Sequence, residues 1–148
     1  FRRMGFRYMG SAVWDKGEIQ GKRGFNAGNF SAAEEILTAD YVHHDPATAD
    51  MGSGREGLEQ MVNFYRQAFP DFSVHLEDQI LAGDKVVERW TGRGTHQGSL
   101  MGAPATGKTI TASGISIHRL SGGKIAETWT IFDTAGMLRQ LGIVPGQL

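Results

Sequence analysis

The chain has 148 residues and no cysteine, and its 15 Lys and Arg against 16 Asp and Glu leave a net charge of -1. Disulfides, thiolate metal sites and cysteine nucleophiles are therefore excluded, and no basic block marks a surface for nucleic acid. Arg2, Arg3 and Arg7 stand near the start, but Met4, Gly5 and Phe6 do not form the apolar run of an export signal; no membrane span is expected, and a cytoplasmic protein of one domain over 1–148 is.

Glycine is about twice as frequent as usual, 21 in 148, which implies many tight turns or close approaches. Gly5, Gly10, Gly17, Gly21 and Gly24 each weaken a helix, so residues 1–25 read as a poorly defined helix or tail. Asn29 or Ser31 can cap a short helix through Leu37, with Glu34 and Glu35 in its first turns. Tyr41 to His44 is a brief extended stretch that Pro46 ends. The clearest helix runs from Ser53 to Pro70, where Leu58, Met61, Val62, Tyr65 and Phe69 form one apolar stripe.

After Pro70 the period changes from 3.6 to 2. Phe72, Val74 and Leu76 alternate with polar residues as in a half-buried strand. Gly83-Asp84 leads to a second strand, Lys85 to His96, in which Gly92 and Gly94 predict a bend. Strands over Thr109–Leu120 and Lys124–Asp133 are joined by Ser121-Gly122-Gly123, and Met137, Leu138 and Leu141 close with a turn of helix. Helices first and strands after them predict an α+β fold, helices packed across a curved antiparallel sheet around one apolar pocket. Gly102 to Thr109 spells a phosphate-binding loop, but a strand and not a helix follows Lys108, so nucleotide binding is rejected.

Folding the last hairpin with His118 opposite Ile125 puts Ala112, Gly114, Ser116 and His118 on one face with Glu127, Trp129, Ile131 and Asp133. A carboxylate enclosed beside Trp129 and Ile131 becomes a stronger base, and His118 is its natural partner in moving a proton. The bland alternative is that Asp133 caps the terminal helix and His118 is a satisfied strand residue. His43 and His44 point to opposite faces and cannot share a metal ion; no metal is expected, and His44, or else His43, is placed at the mouth of the pocket. Tyr65, Trp90 and His96 complete the candidate lining.

The segments Tyr41-Val-His-His-Asp-Pro46, Gly94-Thr-His-Gln-Gly98, Gly102-Ala-Pro-Ala-Thr-Gly-Lys108, Trp129-Thr-Ile-Phe-Asp133 and Leu138-Arg-Gln-Leu-Gly142, in this order, resemble the SnoaL-like polyketide cyclases of the nuclear transport factor two superfamily. The resemblance implies a conical α+β barrel, commonly a homodimer or homotetramer. It also implies cofactor-free intramolecular aldol condensation of a small hydrophobic polyketide-like carbonyl compound, with the acid/base aspartate at Asp133 and its assisting histidine at His118. Epoxide hydrolysis, ketosteroid-type isomerisation and ligand binding without catalysis are the alternatives in the same fold.

Overall fold

The computed structural model describes residues 33–143, so the segment 1–25 lies outside the described residues. A single turn of helix, α1 (Ala33–Ile36), leads into β1 (Leu37–His44) and a 3-10 turn over Pro46–Met51. Helix α2 (Arg55–Ala68) follows, then β2 (Ser73–Ala82), β3 (Lys85–Thr95), β4 (Thr109–Ser121), β5 (Lys124–Phe132) and α3 (Thr134–Leu141). The five strands form one curved, unclosed sheet in the order β1-β5-β4-β3-β2. Every pairing is antiparallel except β1 with β5, which is parallel.

The stripe on α2 does what its spacing requires. Leu58, Met61, Val62 and Tyr65 are buried against the concave face of the sheet, joining Leu37, Ile110, Ile125 and Met137 in the core. Pro70 prevents the helix from continuing, and the carbonyl of Ala68 accepts instead from the amides of Gln97 and Gly98 in the loop after β3. That loop approaches so closely that a Cβ on Gly98 would collide with the carbonyl of Gln67.

The strand glycines leave room for aromatic rings. A Cβ on Gly92 would strike Phe72, and one on Gly114 would strike the indole of Trp90. Omitting the methyl lets each ring approach the inner face of the sheet closely, where it supplies apolar surface.

Two features depart from the sequence reading. The extended stretch at Tyr41–His44 belongs to an eight-residue strand whose partner lies more than 80 residues away in sequence. The last hairpin turns at Gly122 and Gly123 with φ of 58° and 79°, as a two-residue type I′ turn requires. Ser121 therefore pairs with Lys124 and Leu120 with Ile125. The register then slips: Arg119 pairs with Glu127 and His118 with Thr128, leaving Ala126 as an extra residue in β5. This bulge reverses the inward and outward residues of the rest of β5 relative to the expected pairing.

Candidate active site

A cavity lies between α2 and the concave face of the sheet. Most of its wall is apolar, supplied by residues such as Leu58, Phe69, Val74, Leu76, Ile125 and Met137. Its polar residues come from neighbouring strands: Tyr41 and His43 of β1 with Asp45 just beyond it, Thr128 and Thr130 of β5, Ser116 and His118 of β4, and Glu88 of β3. Register explains the grouping. His43 and His118 each pair with Thr128, from opposite sides of β5, so the three side chains form a row across the sheet.

Two hydrogen-bonded groups make up the row. The carboxylate of Glu88, 2% exposed, accepts from Gln79 Nε2 at 2.8 Å and lies 3.3 Å from His118 Nε2 through its other oxygen. His118 Nδ1 is 2.9 Å from the Thr128 hydroxyl. Next in the row, the Tyr41 hydroxyl is 3.2 Å from His43 Nδ1. His43 Nε2 is buried without a hydrogen-bond partner among the described residues. A buried carboxylate is tolerable only when its oxygens are satisfied, and Gln79 and His118 do this for Glu88.

Burial sets the protonation of Tyr41, Tyr65 and His43. It pushes the phenols of Tyr41 and Tyr65 far above their ordinary range, with Asp45 adding to the effect on Tyr65. It holds His43 below 6.5; His118 and His44 act in the same direction and Asp45 opposes them. The phenols thus stay protonated and His43 is neutral at neutral pH. Beside the row, the Trp90 indole N–H donates to Ser116 Oγ at 3.0 Å, and Ser116 Oγ is 3.0 Å from Thr130 Oγ1.

Of the residues expected at the site, His118, Ser116, Tyr65 and Trp90 line the cavity. The others lie elsewhere. Asp133 is exposed and caps α3, its Oδ1 accepting from the Gly136 amide at 2.8 Å; β5 has already ended, so the carboxylate turns to the helix and not into the cavity. Trp129 and Ile131 face outward because of the Ala126 bulge, Ile131 being 68% exposed. His44 is on that outer face too, its ring stacked on Trp129 at 5.3 Å and its Nε2 2.8 Å from Glu127; of the two adjacent histidines it is His43 that looks inward. His96 is fully buried behind the cavity against Phe69, where its Nδ1 accepts from the Thr106 amide and anchors the loop.

Glu88, Asp45, Tyr41, Thr128 and Thr130 were not anticipated as site residues. Glu88 had a signal, since it shares strand parity with Val86 and Trp90, and a charge among inward apolar positions is costly unless it is used. Thr128 and Thr130 had none, because their direction depends on the bulge.

The model of the SnoaL-like polyketide cyclase family matches residues 16–141. The chain is 30% identical over 124 residues to nogalonic acid methyl ester cyclase of Streptomyces nogalater, covering 80% of this chain and 89% of that protein. It is 29% identical over 125 residues to the aklanonic acid methyl ester cyclase DnrD of Streptomyces peucetius, covering 80% and 83%. Among solved structures, TsrD from Streptomyces laurentii superposes with a TM-score of 0.78 at 26% identity, over 97% of this chain and 99% of that one. IdmH from Streptomyces antibioticus does so with a TM-score of 0.70 at 36% identity, over 80% and 91%.

Proposed function

The chain belongs to the SnoaL-like polyketide cyclase family, and from that premise we propose that it closes a ring in a hydrophobic, polyketide-derived carbonyl compound by an intramolecular aldol step. The observation that carries the proposal is a largely apolar cavity with one polar corner, where His118 is held between Glu88 and Thr128. An aldol closure is an isomerisation. A proton leaves the carbon next to one carbonyl, the resulting enolate carbon attacks a second carbonyl, and the new alkoxide takes a proton back. It needs a base that becomes an acid, and surroundings dry enough to protect the enolate.

In this reading the acid/base work expected of Asp133 belongs to the buried polar row, because Asp133 stands in solvent and is engaged with the start of α3. The apolar wall takes the carbon skeleton, and Ser116, Thr130 and Asp45 are the groups available to orient its oxygens. A second copy of the chain is the partner we assign to the outer sheet face, where Ile115 and Ile131 pair across β4 and β5 and are 51% and 68% exposed. Ile131→Glu should then lower the apparent mass in size-exclusion chromatography.

The names of the relatives supply probes. Incubation with nogalonic acid methyl ester and with aklanonic acid methyl ester, followed by chromatography and mass spectrometry, should give from one of them a product of unchanged mass and altered retention. His118→Gln should slow that conversion by about 10²–10⁴-fold while the circular dichroism spectrum stays unchanged. Full activity in this variant, or inertness of both esters, would overturn the proposal.

A further inference from the structure

Resting on the cyclase reading of the cavity, we infer that Trp90, Ser116 and Thr130 form its carbonyl-binding element: the trio offers one hydroxyl proton to a substrate carbonyl oxygen and holds the enolate oxygen that forms there. All three residues line the cavity. The Trp90 indole N–H can only donate, so Ser116 Oγ accepts it at 3.0 Å. Between Ser116 Oγ and Thr130 Oγ1, 3.0 Å apart, one hydroxyl donates and the other accepts. If Ser116 donates, the Thr130 proton is left over; if Thr130 donates, the Ser116 proton is. In both cases two hydroxyl protons serve one mutual bond, and one proton has no acceptor among the described residues. A donor left unpaired in apolar surroundings is costly, and a ligand oxygen in the cavity satisfies it.

Strand register sets the trio in place. Ser116 pairs with Thr130 across β4 and β5, and Trp90 pairs with Gly114, the neighbouring inward residue of β4. A Cβ at 114 would strike the indole, so glycine there lets the ring lie over β4 and its N–H reach Ser116. Trp90 is thus a positioning residue: it fixes the Ser116 oxygen and polarises the hydroxyl that follows it in the chain of hydrogen bonds. His118 is the inward residue on the other side of Ser116, about 7 Å further along the strand. A carbonyl oxygen held at the hydroxyl pair, with its α-carbon directed along β4, places that carbon between the pair and the imidazole.

When the α-proton leaves for the buried polar row, the C–H electron pair forms the enolate double bond and the carbonyl π pair moves onto oxygen. The growing negative charge strengthens the bond from the waiting hydroxyl, which keeps its own proton throughout. Attack on the second carbonyl returns the pair and regenerates the first carbonyl. Phe72 and Phe132 stand beside the trio, the latter ring 6.1 Å from Trp90. They offer ring surface and no donor, so the orientation of the ligand oxygen falls to the trio.

The test compares binding of fluorenone and fluorene to the full chain. The two share one flat tricyclic frame, and fluorenone adds a carbonyl between two aromatic rings, with no α-proton, so it binds without reacting. Fluorenone should bind about 3–10-fold more tightly, and its carbonyl infrared stretch should fall on binding relative to the same ketone in hexane. Ser116→Ala combined with Thr130→Val, which removes both hydroxyls, should abolish the preference and the shift. Thr130→Val alone should keep both, because Ser116 then has Trp90 as its donor and its own proton for the ligand. Trp90→Phe leaves the hydroxyls free to turn, so the band should broaden and the preference, a ratio in which lost apolar contact cancels, should shrink. Equal affinity for the two compounds, no binding of fluorenone or an unshifted stretch in the wild type overturns the inference, as does a shift that survives in the double variant or vanishes in Thr130→Val. Where an ester is converted, the double variant should lower kcat by about 10²–10³-fold. A carbonyl preference beside inert esters would support the trio and refute the cyclase reading; conversion of an ester without the preference would refute the trio and leave the cyclase reading standing.

Discussion

His43 and His44 are consecutive residues on one strand, and the alternation of side chains across the sheet places them in opposite surroundings. His43 faces the cavity, buried, its pKa held below the ordinary value and one nitrogen unpaired. His44 faces out with its side chain 44% exposed, stacked on Trp129 and bonded to Glu127; that hydrogen bond, helped by Arg119, holds the Glu127 carboxyl below its usual range. The inner histidine keeps one buried partner, Tyr41, and leaves its Nε2 without one among the described residues, whereas the outer one is spread over solvent-screened contacts of small worth. Identical residue type one step apart teaches that the site is defined by face, and not by which residues are chemically capable.

The contrast can be broken most severely by exchanging each imidazole for an amide. His43→Gln, which removes a member of the buried polar row, should lower kcat/KM more than His44→Gln, which should cost less than about threefold, both measured on the probe ester that wild type converts. Acid should have the next largest effect. With the pKa of His43 lowered, its ring stays neutral below pH 6.5, and kcat/KM should fall only on the acid side of that value, where a cation would enter the buried row. Stability follows the same group: below about pH 6.5 the unfolded chain protonates His43 and the folded chain resists, so the melting temperature should drop with acid there and His43→Gln should reduce the slope.

A smaller disturbance enters through the cavity wall. Gly114→Ala puts a methyl into the Trp90 ring, which should cost about 1–3 kcal/mol and appear as a lowered melting temperature with altered Trp fluorescence. The least effect is expected at Asp133. Asparagine caps a helix about as well as aspartate, so Asp133→Asn should retain activity and change stability by less than about 0.5 kcal/mol, whereas Asp133→Ala should cost about 1 kcal/mol. Loss of turnover in Asp133→Asn with an unchanged melting curve would return the acid/base role to that residue.

Much of the architecture was legible because it rests on local signals. The period of Leu58, Met61, Val62 and Tyr65 located α2, alternation located β2, and Gly122-Gly123 located the last hairpin. Strand β1 was only partly legible, because its partner β5 is distant in the chain and parallel pairing leaves no hairpin signal. At the site, His118, Ser116, Tyr65 and Trp90 were found by strand parity or helix spacing alone. Trp129 and Ile131 were misplaced together, for one shared cause, and Asp133 for another. A bulge adds a residue without a compositional mark, and Ala126 looks like any strand alanine. The helix cap at Asp133 was visible as the rival reading, and the first turn of α3 decides for it by presenting at Gly136 an amide with no acceptor inside the helix, which Asp133 satisfies.

The single supernumerary alanine in β5 also has a meaning for descent. Because pairing alternates strictly, losing or gaining one residue between Ile125 and Thr128 would exchange the whole lumenal set of that strand for its exterior set, turning Glu127 and Trp129 inward and both threonines out. A lineage could thereby replace the chemical lining of its chamber in one genetic event with no point substitution at all. Relatives that differ by a gap at this spot should accordingly be compared by which side chains line the hollow, and not column by column.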